Sequence, residues 1–158
     1  MKELIILTGN IGSGKSTLVK KFQSNNFVVI ARDMLRYSIG GGTYTYNLEY
    51  EPIIWDIELE LFYRFLELGV NIIIDEVGVS KEMRDRYIYN AREYDYKITS
   101  IVLPRLSMKE SVDRRMINPH GQYDRKIWES VWTKFDNMYE EPSKDEGFDE
   151  IIFYNSEK

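Results

Sequence analysis

The sequence predicts a three-layer α/β fold with a largely parallel sheet of about five strands. Three observations carry that expectation. Five short apolar runs, Leu4–Leu7, Phe27–Ile30, Val70–Ile74, Ile98–Leu103 and Ile151–Phe153, read as strands buried on both faces. Helical spacing of apolar residues fills the intervals, and strands that alternate with helices make a parallel sheet covered on both sides. Gly9-Asn10-Ile11-Gly12-Ser13-Gly14-Lys15-Ser16 follows the first run directly, which places a Gly-rich loop between a strand and a helix.

Element boundaries follow from local chemistry. Ser16 to Ser24 carries the first helical pattern. The second strand runs into Ala31-Arg32-Asp33-Met34-Leu35-Arg36, where Arg36 lies one helical turn beyond Asp33. Pro52 suits the first turn of a long helix, where a missing N–H leaves nothing unpaired. Ile53, Ile54, Ile57, Leu61, Phe65 and Leu68 follow its apolar spacing, and Gly69 stops it. Ser80 is placed to cap a helix reaching about Tyr94, and Asp124 opens one reaching about Tyr139, with Trp128, Val131, Trp132 and Phe135 on one side. Ile39 to Asn47 and Ile117 to Tyr123 read as irregular loops.

The 158 residues are 43% apolar and 30% charged, the composition of an ordinary soluble globular domain. One domain over residues 1–158 is expected, with a helical lid at about 107–123. The absence of cysteine excludes disulfides and thiolate metal sites, and it suits a cytoplasmic setting. The N-terminal apolar run is too short for a secretory signal core, and no run approaches membrane-spanning length, so no membrane partner is expected. The formal charge is −5, but residues 136–158 hold eight acids and two bases while the remainder holds 18 acids and 19 bases. The acidity therefore lies in the tail, and the body is free to carry a basic cleft.

The Gly9–Ser16 segment fits G-x-x-x-x-G-K-[ST] in full. Glycines let the backbone turn tightly and aim successive N–H groups at phosphate oxygens. Those groups sit at a helix N-terminus, where the macrodipole favours negative charge. The nucleotide-binding set is Gly9, Gly12, Ser13, Gly14, Lys15, Ser16 and Thr17. Lys15 reaches β- and γ-phosphates, and Ser16 is a Mg²⁺ ligand.

Ligands of parallel sheets collect at the carboxyl ends of the strands, which puts Asp33 beside the phosphate loop. A carboxylate there can take the proton of an attacking hydroxyl, and Arg36 can hold an acceptor phosphate. The same residues also fit a helix cap and its ion-pair partner. Ile72-Ile73-Ile74-Asp75-Glu76 resembles a Walker B strand end, with Asp75 near the metal; the Asp-Glu pair also fits a hydrolase orienting water. Tyr37, Tyr44, Tyr46 and Tyr50 fit base stacking or, more simply, loop packing. His120, the single histidine, reads as a surface loop residue.

Met1 to Thr17 together with Arg32-Asp33-x-x-Arg36 resembles the 5′-kinase domain of the phage polynucleotide 5′-hydroxyl kinase/3′-phosphatase family. A weaker likeness runs through Val70 to Arg84 and Val112 to about Met138. The resemblance implies ATP-dependent transfer of the γ-phosphate to the 5′-hydroxyl of DNA or RNA. It implies Lys15 and Ser16 on the donor, Asp33 as general base, Arg36 on the acceptor's 3′-phosphate, and Asp75 at a strand end that leads into substrate-contacting residues. Val77-Gly78-Val79 replaces the family's polar stretch there. Arg114 matches one lid arginine of the family; where the second is expected this chain has Asn118, with Arg115 or Arg125 as substitutes. The Asp-x-Asp-x-Thr phosphatase motif is absent, so the resemblance implies a kinase without 3′-phosphatase activity. A nucleoside, hydroxymethylated-base or small-metabolite kinase is the close alternative. A nucleotide-dependent regulatory NTPase module is the second.

Overall fold

Every apolar run becomes a strand of one sheet: β1 Glu3–Thr8, β2 Phe27–Ile30, β3 Asn71–Ile74, β4 Lys97–Val102 and β5 Glu150–Phe153. The computed structural model describes residues 1–155, so Glu157 and Lys158 of the acidic tail lie outside the described residues. The strand order is β2-β3-β1-β4-β5, and every pairing is parallel. The parallel arrangement follows from runs that are apolar at consecutive positions and therefore need cover on both faces. Helices α1 Lys15–Phe22, α3 Glu51–Leu68 and α4 Lys81–Arg92 supply it, and α2 Arg32–Ile39, α5 Met108–Ile117 and α6 Arg125–Met138 complete the α-helices of the described residues.

Strand alternation divides the core in two. Leu4, Ile6, Ile30, Ile72, Ile74 and Ile98 pack under Phe62 and Leu66 of α3 and Tyr87, Ile88 and Ala91 of α4. Ile5, Leu7, Ile73 and Ile101 face the other way, onto Leu18 and Val19 of α1. Ile72, Ile73 and Ile74 are at most 1% exposed, and burial of such side chains stabilises by about 1.5–3 kcal/mol each. A third cluster joins Ile11 of the phosphate loop to Val112 of α5 and Trp128 of α6, with Val131, Trp132 and Phe135 packed around it. The predicted apolar side of α6 thus fastens the lid region to the phosphate loop.

The buried face of α3 differs from the expected one. Ile54, Glu58, Phe62 and Leu66 face the core, whereas Ile53, Ile57, Leu61 and Leu68 are exposed. The helix is apolar on most sides, and the acid at Glu58 conceals the true stripe. Glu58 is fully buried because the Tyr87 hydroxyl donates to it. Among the described residues, no helix is long and apolar enough to cross a membrane.

A second polar pair in the core fixes α4 to the segment before β5. Arg84 is 0% exposed, and its Nε and Nη2 donate to the Glu146 carboxylate at 2.7 and 3.0 Å. Its Nη1 donates to Gly78 O at 2.8 Å. Arg84→Ala leaves Glu146 without its partner, and a loss of about 3–5 kcal/mol is expected, read as a lowered denaturation midpoint. An unchanged midpoint contradicts the role of this pair.

Candidate active site

The phosphate loop begins where β1 ends. Gly9 N–H donates to Val77 O at 2.8 Å, which joins the loop to the segment after β3. Gly12 lies at φ +65°, and a Cβ there would meet Ser111 O of α5 at 2.3 Å. Gly14, at φ +104°, borders open space. Lys15 Nζ donates to Gly9 O at 2.7 Å and Asn10 O at 2.8 Å. Burial pushes its pKa down to about 8, against the nearby charges of Asp75, Asp33 and Glu76. Ser16 and Thr17 stand exposed on the first turn of α1, whose N–H groups have no intrahelical acceptors.

Strand register assembles the rest. Ile6, Ile74 and Ile30 form one row across β1, β3 and β2, so the residues after each strand emerge together. Asp75 N–H continues the ladder to Ile30 O at 2.9 Å. Burial pushes the Asp75 carboxyl up, and the Lys15 charge is the main opposing influence. Glu76 turns elsewhere. Its Oε1 accepts from Arg32 N–H at 2.7 Å, and its Oε2 pairs with Arg32 Nη2 at 3.2 Å. Burial pushes Glu76 up to about 7, with Arg32 opposing. Glu76 therefore tethers the first turn of α2, and Arg32 lies 3.6 Å over the Trp55 ring.

That tether sets Asp33. Its Oδ1 accepts from Arg36 Nη1 at 2.8 Å and from the Tyr44 hydroxyl at 3.1 Å. Its Oδ2 faces His120 Nε2 at 3.6 Å. Burial opposes its ionisation, but His120, Arg36 and Tyr44 together hold the carboxyl below the usual range. Arg36 also donates to both oxygens of Glu51, at the start of α3. Tyr44 returns to this point because the turn after α2 folds back: Gly42 N–H donates to Tyr37 O at 2.8 Å and Thr45 N–H to Arg36 O at 3.2 Å.

The lid arginines divide. Arg114 is exposed at the rim, with Nη1 at 3.5 Å from Gly12 O. Arg115 is half-buried, 5.1 Å over the Trp128 ring, and its charge acts on Asp33, Tyr44, Tyr37 and Asp75. Its Nε is buried without a partner. Arg125 stands on the outer surface, paired with Asp113 at 2.7 Å and Glu129 at 3.4 Å.

A family model described as "AAA domain" (AAA_33) matches residues 4–142. The chain belongs to this family. The match spans the phosphate loop, Asp33, Asp75 and the lid. A chain of the Pnkp1/Rnl/Hen1 RNA repair complex is 26% identical, with a TM-score of 0.68 over 87% of this chain and 45% of its own length. Another structure of a Pnkp1/Rnl/Hen1 complex gives 29% identity and a TM-score of 0.60 over 72% of this chain and 38% of its own. The AAA domain thus spans less than half the length of these two neighbours. A putative kinase from Chloroflexus aurantiacus (17% identity, TM-score 0.69, 96% of this chain and 86% of the other) shares the fold. No curated protein was found to match. The fold is that of the nucleotide-binding P-loop kinases.

The structure brings the sequence candidates of this AAA domain to one edge of the sheet: the Gly9–Thr17 loop, Asp33, Arg36 and Asp75, with Arg114 at the rim. It also places Arg115 there and adds His120, Tyr37 and Tyr44. Arg115, one of the two substitutes for the second lid arginine, faces the cleft; its spacing from the buried Ser111 and Val112 puts it on their face of α5, a signal present in the sequence. His120, read as surface, is 23% exposed and lies against Asp33. Tyr37 and Tyr44, read mainly as loop packing, border the same carboxylate, whereas Tyr46 and Tyr50 are exposed. Val77-Gly78-Val79 forms a packed turn: Val79 is fully buried, and Gly78 O accepts from Thr8 Oγ1 at 3.0 Å.

Proposed function

We propose that this domain transfers the γ-phosphate of ATP to a hydroxyl, and that the favoured acceptor is the 5′-hydroxyl of a DNA or RNA end. The observation that carries the reading is the setting of Asp33. One carboxylate oxygen is fixed by Arg36 and Tyr44 while the other lies 3.6 Å from His120 Nε2, and the Asp33 charge acts on Lys15 and Arg115. A base held at one oxygen and free of hydrogen bonds at the other suits proton removal from an acceptor hydroxyl. Glu76, a candidate for orienting water, is engaged by Arg32 instead, which weighs against a dedicated hydrolase. The likeness to the Pnkp1/Rnl/Hen1 RNA repair complex supports a nucleic-acid acceptor.

The donor phosphates fit the Gly9–Thr17 loop. Gly14 leaves open space at the helix N-terminus, and the Lys15 ammonium lies at the loop's centre. Ser16 and Asp75 would hold Mg²⁺, which supplies neutralisation of phosphate charge when bound. Asp33 accepts the hydroxyl proton as the acceptor oxygen bonds to Pγ and the bond from Pγ to the bridging oxygen breaks. Lys15 and Arg115 balance the charge on the transferring group, and ADP leaves. Catalysis is positioning and charge stabilisation.

A small hydroxyl substrate is the second reading. Arg36 is already engaged by Asp33 and Glu51, so an acceptor phosphate must compete with Glu51 for it. The discriminating experiment is ADP release with added acceptor. A 5′-hydroxyl oligonucleotide is expected to accelerate it and the 5′-phosphorylated oligonucleotide is not; acceleration by free nucleosides alone moves the acceptor to the small-molecule class. Acceleration by no hydroxyl compound, with steady ATP hydrolysis, removes the kinase reading.

Lys15 makes nucleotide binding pH-dependent. Its lowered pKa means that the free protein loses this charge as pH rises through about 8. Bound phosphate restores the proton, so calorimetry at about pH 9 is expected to record uptake approaching one proton, fading below about pH 7. Lys15→Met abolishes the uptake. Equal uptake in that variant assigns the proton to another group.

A further inference from the structure

The face of Asp33 that the proposed reaction needs is not bare. It looks onto His120, a residue of the lid loop that follows α5. We propose that His120 is a positioning residue for Asp33, seated by lid closure between the Tyr37 hydroxyl and Asp33 Oδ2, so that shutting the lid and aligning the base are one event. This rests on the reading of Asp33 as the general base.

Four observations converge on the seat. Tyr37 Oη lies 2.7 Å from His120 Nδ1, and Asp33 Oδ2 lies 3.6 Å from Nε2, so the two ring nitrogens address two different partners. The Tyr44 ring stacks on the imidazole at 5.3 Å and 23°, and Tyr44 is also the hydroxyl that holds Asp33 Oδ1. Tyr37 closes the third side, edge-on at 5.5 Å. Gly121, at φ +73°, lets the loop descend: a Cβ there would stand 3.2 Å from Tyr44 Cδ1 and 3.0 Å from Tyr123 Cε2. A loop residue at hazard on the surface does not meet two hydroxyls' owners, a carboxylate and a glycine-enabled close approach together.

The carboxylate beside Nε2 favours one tautomer, because a ring N–H there is attracted to it and a lone pair is repelled. If Tyr37 O–H donates to Nδ1, the ring proton is on Nε2 and points at the carboxylate. The separation from Oδ2 is a few tenths of an ångström beyond a hydrogen bond, so the contact is electrostatic and steers the carboxylate without occupying it. A neutral ring does this while leaving Asp33 free to take a proton; a protonated ring pairs with Asp33 and lowers its proton affinity. The charges that face the imidazole are Asp33 and Arg36 of α2, Arg115 of α5 and Lys15 of α1, with the Tyr37 and Tyr44 hydroxyls beside it. Burial, assisted by the three cations, holds its pKa below the ordinary value against the pull of Asp33, which keeps the ring neutral at physiological pH.

Because His120 is the single histidine, its imidazole nitrogens can be followed without assignment in protein labelled with ¹⁵N-histidine. The expected spectrum is a neutral Nε2–H tautomer that titrates below the ordinary histidine value. Asp33→Asn is expected to lower that value further by removing the opposing charge, and Tyr37→Phe to redistribute the tautomers. Gly121→Ala tests the seat without altering any polar group, and is expected to return His120 to ordinary titration. A ring that titrates ordinarily in the parent protein, or that ignores Asp33→Asn, overturns the proposal whether or not the protein transfers phosphate. In transfer assays, His120→Ala is expected to lower kcat about 10–100-fold with nucleotide affinity unchanged and to move the acid limb of the pH profile to lower pH, with partial rescue by His120→Gln, whose amide N–H can face Oδ2. A parent protein that transfers while His120→Ala keeps its kcat and acid limb overturns the proposal and leaves the kinase reading standing. A parent protein with the expected spectrum and no transfer to any hydroxyl does the reverse.

Discussion

Asp33→Asn is expected to lower phosphoryl transfer by about 10²–10⁴-fold, the usual worth of a positioned general base, while nucleotide affinity stays within about threefold. The substitution keeps the side-chain shape. The Asn oxygen can still accept from Arg36 and the Tyr44 hydroxyl, whose bonds to Asp33 Oδ1 are 2.8 and 3.1 Å. What is lost is the basic oxygen facing the cleft. The Asp33 carboxyl lies below the usual range, so it is ionised throughout the neutral region and the transfer rate does not fall there through its own protonation. The check is a single-turnover assay beside a direct nucleotide-binding measurement. Parent-like turnover in Asp33→Asn removes this residue from the chemistry, and joint loss of binding and turnover marks it as structural.

Arg115→Ala is expected to have the largest effect among the lid substitutions. An arginine that meets the transferring phosphoryl group is worth about 10³–10⁵-fold in kcat. Arg115 is placed for that role: its charge acts on Asp33 and Asp75, it depresses Lys15, and its Nε is buried without a partner. Arg114 is exposed and reaches the backbone of Gly12, so Arg114→Ala is expected to cost at most about tenfold, as a rim charge does. The comparison is made on kcat with saturating nucleotide. The opposite ranking returns the role to Arg114, the residue that the family resemblance selects. Arg115 also packs on Trp128, so Arg115→Lys and the denaturation midpoint are measured alongside to separate lost charge from lost packing.

The sheet was legible because each strand is a short run apolar at consecutive positions, and the phosphate loop because its residue types are fixed by backbone geometry. Asp33 followed from the rule that residues after parallel strands emerge at the same edge, and Asp75 from the Walker B pattern; the shared row of Ile6, Ile74 and Ile30 shows why the two meet. The buried face of α3 was misread because two apolar stripes compete and the true one contains Glu58, which accepts a hydrogen bond from Tyr87, 29 residues away in sequence. His120 was hidden for a similar reason. Its partners Tyr37 and Tyr44 lie more than 70 residues earlier, and the descent of the lid loop depends on a positive φ at Gly121. Local pattern carries no record of such meetings. Arg115 was within reach, since its helical phase with Ser111 and Val112 marks the inward face; the family resemblance matched Arg114 and left Arg115 and Arg125 undivided as substitutes for the second lid arginine.

Transfer of labelled γ-phosphate from ATP, with Mg²⁺, tests the central claim most directly. The acceptors are 5′-hydroxyl DNA and RNA oligonucleotides, their 5′-phosphorylated counterparts and free nucleosides. The account predicts label on the 5′-hydroxyl oligonucleotides and none on the phosphorylated ones. Labelled free phosphate, released at one rate whatever acceptor is present and with no labelled acceptor, would contradict it.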